Sequence, residues 1–191
     1  MLLGLCASSL CLTIAGCSPQ SPLEANGIKV APGSDWKAVS LTAWPVPGTP
    51  LAAWSGPSGA SFVVYVELPA PGVAAKGLGT GLATRLENLP ELRLIKNDVE
   101  TIDGLDAARV VAVAPGNGAR LAPSGRGKPI LDNGEIAKPT RRVTILIPRQ
   151  RDTVGLVWHA PEQSAASLEG AIVTMLKSLK LSRDAISTSS Y

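Results

Sequence analysis

The chain contains a single histidine, His159. A catalytic histidine needs a nucleophile and an orienting carboxylate beside it, yet the sequence has no Gly-x-Ser-x-Gly motif that would supply a recognisable serine. The acidic residues are scattered, without the spacings that zinc and calcium sites require. The sequence therefore predicts no catalytic residue, no metal site and no cofactor, and His159 is interpreted as a structural residue of a strand.

Two short motifs contain residue types that can bind phosphate or transfer protons. Gly77-Leu78-Gly79-Thr80-Gly81 lies at the start of a predicted helix, but its glycine spacing differs from that of nucleotide-binding loops. It indicates either a loosely wound helix start or small residues that allow close packing. Asp103 and Asp106 flank a predicted hairpin turn, where aspartate next to glycine is common. Neither motif therefore predicts a reaction.

Basic residues are concentrated in one part of the chain. The net charge of +3 is too small to indicate nucleic acid binding, but residues 115–151 hold eight basic residues against two acidic ones. Clustered guanidinium groups suit bidentate contacts to phosphate or carboxylate. We predict a surface that docks anionic headgroups or cell-wall polymers, formed by Arg141, Arg142, Arg149 and Arg151. The alternative is a set of solvated charges at a strand edge.

An uncharged apolar segment, residues 1–16, opens the chain. It is too short for a transmembrane helix and has the length of a signal-peptide core. The segment ends in Ile14-Ala15-Gly16-Cys17, which resembles the lipobox of bacterial lipoprotein precursors. This resemblance implies that the signal peptide is removed and that Cys17 receives a lipid. No Lys or Arg precedes the apolar run, which departs from the usual signal pattern.

Cys17 would be the first residue and the only cysteine of the mature chain, since Cys6 and Cys11 lie in the removed segment. The mature chain then has no disulfide and no cysteine-based metal site. Several acyl chains on Cys17 would anchor it stably to the outer side of a bacterial cytoplasmic or outer membrane. The expected partners are this membrane and an envelope protein or anionic polymer, and not nucleic acid.

Hydrophobic periodicity predicts the elements that position these residues. A linker at 17–27 precedes one folded domain at 28–181, and a flexible tail at 182–191 follows it. Leucine spacing predicts a helix from Leu78 to Leu89 and a second from Leu168 to Leu179, capped by Ser164 or Ser167. Strands are predicted at 27–31, 36–41, 51–54, 61–67, 92–102, 107–114, 142–147 and 153–160. Strands grouped in hairpins indicate an α+β fold, an antiparallel sheet with helices packed on it.

From about Lys29 to Leu181, the order of elements resembles the PsbP-like fold, an α/β/α sandwich shared with Ran-binding Mog proteins and many bacterial lipoproteins. The resemblance rests on Trp36 in an early strand, the middle helix, the hairpin at 102–110 and a final pair of strands followed by an amphipathic helix. It implies a non-catalytic binding or assembly module at the cell envelope. Two alternatives stay open, namely a photosystem-accessory lipoprotein of the PsbP type and a cell-envelope hydrolase with an unrecognised site.

Overall fold

The computed structural model describes residues 22–41, 46–68, 72–89, 92–114 and 139–183. The predicted signal peptide, Cys17 and the tail from 184 onward lie outside the described residues, as does the stretch 115–138. No helix in the described part of the chain is both long and apolar enough to cross a bilayer.

Within the described residues, seven antiparallel strands form the main sheet. They are β3 (Lys37–Ala38), β4 (Thr49–Ser55), β5 (Ser61–Glu67), β6 (Arg93–Ile102), β7 (Leu105–Ala114), β8 (Thr140–Pro148) and β9 (Thr153–Pro161). Their order across the sheet is β3-β4-β5-β9-β8-β7-β6. The predicted hairpins β4–β5, β6–β7 and β8–β9 are confirmed, and the pairing of β5 with β9 joins the two halves of the chain.

A smaller sheet brings the two ends of the described chain together. It consists of β1 (Leu23–Ala25), β2 (Ile28–Val30) and β10 (Lys180–Leu181), with β2 in the centre. β1 lies within the range that the sequence assigns to a linker. The folded region therefore begins before residue 28, because the Leu23 side chain is buried in the core.

Two helices cover opposite faces of the main sheet. α1 (Ala75–Glu87) packs on β6, β7 and β8, and α2 (Glu162–Ser178) packs against β8, β9 and β2 on the other side. Each face has its own apolar cluster, one around Tyr65, Leu82 and Val157 and the other around Trp54 and Trp158. The predicted α+β class, with helices packed on an antiparallel sheet, is confirmed.

The predicted cap of α2 is wrong. The helix begins at Glu162, directly after β9, so both candidate cap residues lie inside it. The Ser164 hydroxyl donates to the Pro161 carbonyl at 3.0 Å, and the Ser167 hydroxyl donates to the Ser164 carbonyl at 2.7 Å. Strand β9 continues to Pro161 and leaves no room for a serine cap, and Glu162 places a favourable negative charge in the first turn.

Two predicted strand boundaries also change. The strand predicted at 51–54 begins earlier, since Thr49 and Pro50 also belong to β4. A register shift between Pro50 and Ala52 accommodates the proline. The strand predicted at 36–41 forms a ladder only at Lys37–Ala38.

Candidate functional site

The four arginines of the predicted docking surface do not lie on one surface. Successive side chains of a strand point to opposite faces of the sheet, so Arg141 and Arg142 separate at the start of β8. Arg141 lies on the face that carries α2, where its Nε and Nη2 donate to the Glu162 carboxylate at 2.8 and 2.6 Å. This pairing raises the pKa of Arg141 and lowers the pKa of Glu162.

Arg149 and Arg151 also differ from each other. The Arg149 side chain is 0% exposed, and its Nε and Nη2 both donate to the Asp152 carboxylate at 2.7 Å. Its Nη1 donates to the carbonyls of Asn26, Gly27 and Ser182. Arg149 thus joins the β8–β9 turn to the small sheet, whereas Arg151 is exposed. Anion docking by these residues stays a prediction.

The glycine motif and the Asp103 turn have structural roles in the described chain. Gly79 is buried in α1, and a β-carbon there would lie 2.7 Å from Asn97 Oδ1 and 2.9 Å from Ala108 Cβ. Asp103 and Gly104 both have positive φ, as a tight hairpin turn requires. The Asp103 carboxylate accepts the Leu181 amide at 2.7 Å and Lys180 Nζ at 3.1 Å, and these two bonds lower its pKa.

A polar group lies on the face of the sheet that carries α1, and we call it the Tyr65–Arg142 cluster. Its members are Tyr65, Glu67, Arg85, Arg142, Thr144 and His159. Arg142 Nε donates to the Thr144 hydroxyl at 3.2 Å, so the guanidinium turns along β8. In that direction the Tyr65 ring lies across Gly155 of the intervening strand β9. Tyr65 and Arg142 therefore lie on the same face of the sheet, in the strands on either side of β9.

Electrostatic effects link Tyr65 to Glu67, Arg85 and Arg142. Burial raises the pKa of the Tyr65 phenol and Glu67 raises it further, while the positive charges of Arg142 and Arg85 oppose the rise. Burial also raises the pKa of the Glu67 carboxyl, and Arg85 again opposes it. The cluster contains two guanidinium groups and one carboxylate, which leaves one positive charge in excess.

Arg142 is the unusual member of the cluster because it is buried without an acidic partner in the described part of the chain. Its residue is 4% exposed, and none of the ion pairs there includes it. Burial lowers the pKa of its guanidinium. A buried charge without a counter-charge costs several kcal/mol, so Arg142 is the strongest candidate here for contact with a ligand.

His159 lies beside Arg142 in the paired strands β8 and β9. Burial, together with the Arg142 charge, lowers the pKa of its imidazole to about 3. His159 is therefore neutral at physiological pH. That His159 is a structural residue stays a prediction, and the next experiment tests its contribution to stability.

Acid is expected to destabilise the folded chain through His159. The imidazole has a pKa of about 3 when folded and an ordinary pKa of about 6.5 when unfolded, so only the unfolded chain binds the proton between these values. The free energy of unfolding keeps its full value above pH 6.5 and decreases as the pH falls toward 3. The expected loss at pH 4 is about 3 kcal/mol. Urea unfolding at pH 7 and pH 4 measures this loss.

The control for this experiment is His159→Gln, which cannot titrate. Asp103 and Glu162 also have lowered pKa values and contribute their own acid sensitivity in both proteins. The difference between the two pH profiles therefore isolates His159. Parallel profiles would show that the histidine titrates normally in the folded state.

The opposite face of the sheet carries charges that are already paired. They border a small cavity of about 160 Å³ beside Trp158. The ion pairs are Lys96–Asp98 at 2.6 Å, Arg109–Glu169 at 3.3 Å, Arg109–Glu100 at 3.6 Å and Arg141–Glu162 at 2.6 Å. Asp98 Oδ1, Glu100 Oε1 and Arg109 Nε nevertheless have no hydrogen-bond partner among the described residues. Among the described residues, no group of three or more His, Cys, Asp or Glu side chains is arranged to hold a metal ion.

Sequence reasoning missed Tyr65, Glu67, Arg85 and Thr144 as members of one cluster. Alternation along β8 is a signal that places Arg142 and Thr144 on one face and Arg141 on the other. The approach of Tyr65 has no comparable signal, since it depends on the pairing of β5 with β9.

No family model matches the sequence, and no curated protein matches it either. Solved structures do match. Cyanobacterial PsbP from Synechocystis sp. PCC 6803 matches with a TM-score of 0.55 and 10% identity, over 94% of this chain and 99% of that one. LpqN of Mycobacterium tuberculosis matches with a TM-score of 0.51 and 15% identity, over 86% of each chain.

The Ran-binding protein Mog1p of Saccharomyces cerevisiae gives a TM-score of 0.50 with 12% identity, over 81% of this chain and 90% of that one. At such identities the matches establish the fold alone. They agree with the sheet order and the placement of the two helices described above. The chain therefore has the PsbP-like fold, the α+β sandwich of cyanobacterial PsbP and of Mog1p.

Proposed function

We propose that this chain is a lipid-anchored, non-catalytic binding module on the outer side of a bacterial envelope membrane. The observation that carries the proposal is Ile14-Ala15-Gly16-Cys17 at the end of an uncharged apolar segment. The fold supports it, since LpqN, described as involved in cell envelope biogenesis, has the same architecture.

The length of chain between the lipid and the domain limits how far the domain can lie from the membrane. β1 begins at Leu23, six residues after Cys17, so a fully extended tether spans at most about 20 Å. The small sheet, the Asp103 turn and the Arg149 turn therefore lie near the bilayer. An open groove of about 690 Å³ lies at this end, between the β1–β2 turn, Asp103 and β10.

The end of β7 and the start of β8 lie at the opposite end of the sheet. Ala114 at the end of β7 pairs with Thr140 at the start of β8. β7 runs away from the membrane end for ten residues, or about 30 Å. The field of lipid headgroups falls off within a Debye length of about 8 Å in physiological salt. This end of the sheet, where Arg141 and Arg142 lie, is thus too far from the bilayer for the headgroup field to act on it.

Replacing Cys17 by Ser is expected to abolish lipidation and maturation. The thiol is the acceptor of diacylglycerol, and a hydroxyl is a far weaker nucleophile than a thiolate. Mass spectrometry of the N-terminus should find a diacylglyceryl-modified Cys17 as residue one in the unchanged protein. Cys17→Ser should keep its signal segment and carry no lipid.

Cys11→Ser is the matched control, because Cys11 lies in the segment to be removed. This variant should mature and fractionate with the membrane like the unchanged protein. Normal maturation and membrane retention of Cys17→Ser would refute the lipid anchor.

A further inference from the structure

Strand β6 forms one end of the main sheet and pairs only with β7 in the described part of the chain. It is ten residues long, so a long row of backbone N–H and C=O groups faces away from β7. Two large apolar side chains of this strand are exposed, Ile95 to 44% and Val99 to 46%. An edge of this length and composition is suited to pairing with a further strand.

The charges of β6 allow the strand to pair with a copy of itself. Arg93 and Lys96 precede Asn97, whereas Asp98 and Glu100 follow it. When two copies pair antiparallel about Asn97, each Lys96 lies opposite Asp98 of the other copy, and opposite charges in this position stabilise a pair of strands. Lys96 Nζ and Asp98 Oδ2 are already 2.6 Å apart within one chain. The dimer therefore brings four charges together whose signs alternate.

Like charges disfavour the neighbouring registers of such a pair. Residues directly opposite each other share a face of the sheet, so the pair must be centred on a residue and not between two residues. A centre at Asp98 would place that carboxylate opposite its own copy, and a centre at Lys96 would do the same for two ammonium groups. A centre at Val99 would place Asp98 opposite Glu100. The charges therefore favour the register centred on Asn97.

We propose that this chain forms a homodimer through β6, with the two strands antiparallel and centred on Asn97. Ile95 and Val99 flank this centre, and the second copy covers part of their exposed surface. The register shift between Leu94 and Lys96 bends the strand, so the new ladder is short and centred near Asn97. A short ladder buries little surface, so the dimer is weak and reversible in solution. Pairing through β6 does not depend on the lipid anchor.

Disulfide trapping tests this register on the whole chain, purified in detergent at high concentration. Asn97→Cys places two thiols opposite each other at the centre of the pair, so mild oxidation should give a covalent dimer. Thr101→Cys, also exposed on β6, is the matched control. Its two copies would lie about 27 Å apart along the strands and should not cross-link. The unchanged chain, treated in the same way, measures the background from its own cysteines.

Charge reversal beside the centre tests the cause of the pairing. In the Asn97→Cys background, Lys96→Asp should lower the yield of covalent dimer at least about fivefold, because four carboxylates then meet. Adding Asp98→Lys restores the alternation of charges and should return the yield to within about twofold of its first value. The proposal is overturned if Asn97→Cys cross-links no more than Thr101→Cys, or if Lys96→Asp leaves the yield unchanged. Neither result bears on the lipidation of Cys17, so the two proposals fail separately.

Discussion

Alanine in place of Gly155 is expected to destabilise the domain by about 3 kcal/mol or to prevent folding. Gly155 lies in the middle of β9, between Tyr65 of β5 and Leu146 of β8. A β-carbon at this position would overlap the Cζ, Cε1 and Cε2 atoms of the Tyr65 ring. Tyr65 is 1% exposed, so the close-packed surroundings prevent the ring from moving away.

The same substitution at Gly170 is the matched control. Gly170 lies in α2, where a β-carbon would have no atom within 4 Å. Because alanine is the better helix former, Gly170→Ala should stabilise the protein by up to about 1 kcal/mol. Urea unfolding should show a lower free energy of unfolding for Gly155→Ala and a higher one for Gly170→Ala.

A double-mutant cycle tests the cause of the Gly155 effect. Tyr65→Val removes the ring and leaves a side chain that suits a strand but is too short to reach Gly155. In this background Gly155→Ala should cost less than about 1 kcal/mol, because the overlap is gone. An equal cost in both backgrounds would mean that the glycine is required for another reason.

Local patterns in the sequence were sufficient to predict most of the fold. Alternation and turn residues predicted the hairpin at 102–110, and leucine spacing predicted both helices. They could not predict the order of strands across the sheet, because the pairing of Tyr65 with Gly155 joins segments far apart in the chain. The small sheet was missed for the same reason, since β10 is two residues long and pairs with β2.

The arginines show why charge counting could not predict the candidate site. Counting treats Arg141 and Arg142 as one positive patch, whereas a strand sends adjacent side chains to opposite faces. Arg141 then meets Glu162 of the following helix, and Arg142 turns toward Thr144 in the interior. Side-chain alternation was available from the sequence, but the partners of Arg149 were not, because Asn26 and Gly27 come from the other end of the chain.

Replacing Arg149 by Met is expected to lower the free energy of unfolding by about 3 to 5 kcal/mol. The substitution removes both bonds to the Asp152 carboxylate, whose side chain is only 15% exposed, and leaves that charge without its partner. It also deprives three carbonyls beside the small sheet, in the β1–β2 turn and just after β10, of a donor. Methionine fills a similar volume, so the loss reflects the polar contacts rather than a cavity.

Two further variants separate charge from geometry at this position. Arg149→Lys keeps the charge but loses the planar fork that matches a carboxylate, so its stability should lie between those of the unchanged protein and Arg149→Met. Arg151→Met removes an exposed charge from the same turn and should change stability by less than about 0.5 kcal/mol. Equal stabilities for all three variants would rule out Arg149 as the link between the turn and the small sheet.

Hydrogen exchange can locate the effect of Arg149→Met within the fold. The Ser182 amide donates to the Gly27 carbonyl at 2.7 Å, and the same carbonyl accepts from Arg149 Nη1 at 3.4 Å. Loss of the arginine should therefore speed exchange at β2 and β10 more than at the centre of the main sheet. Under the proposed lipid anchor at Cys17, the same loosening would also let the domain move more freely relative to the membrane. Exchange that rises uniformly across both sheets would instead indicate that Arg149 supports the whole domain rather than the attachment of its two ends.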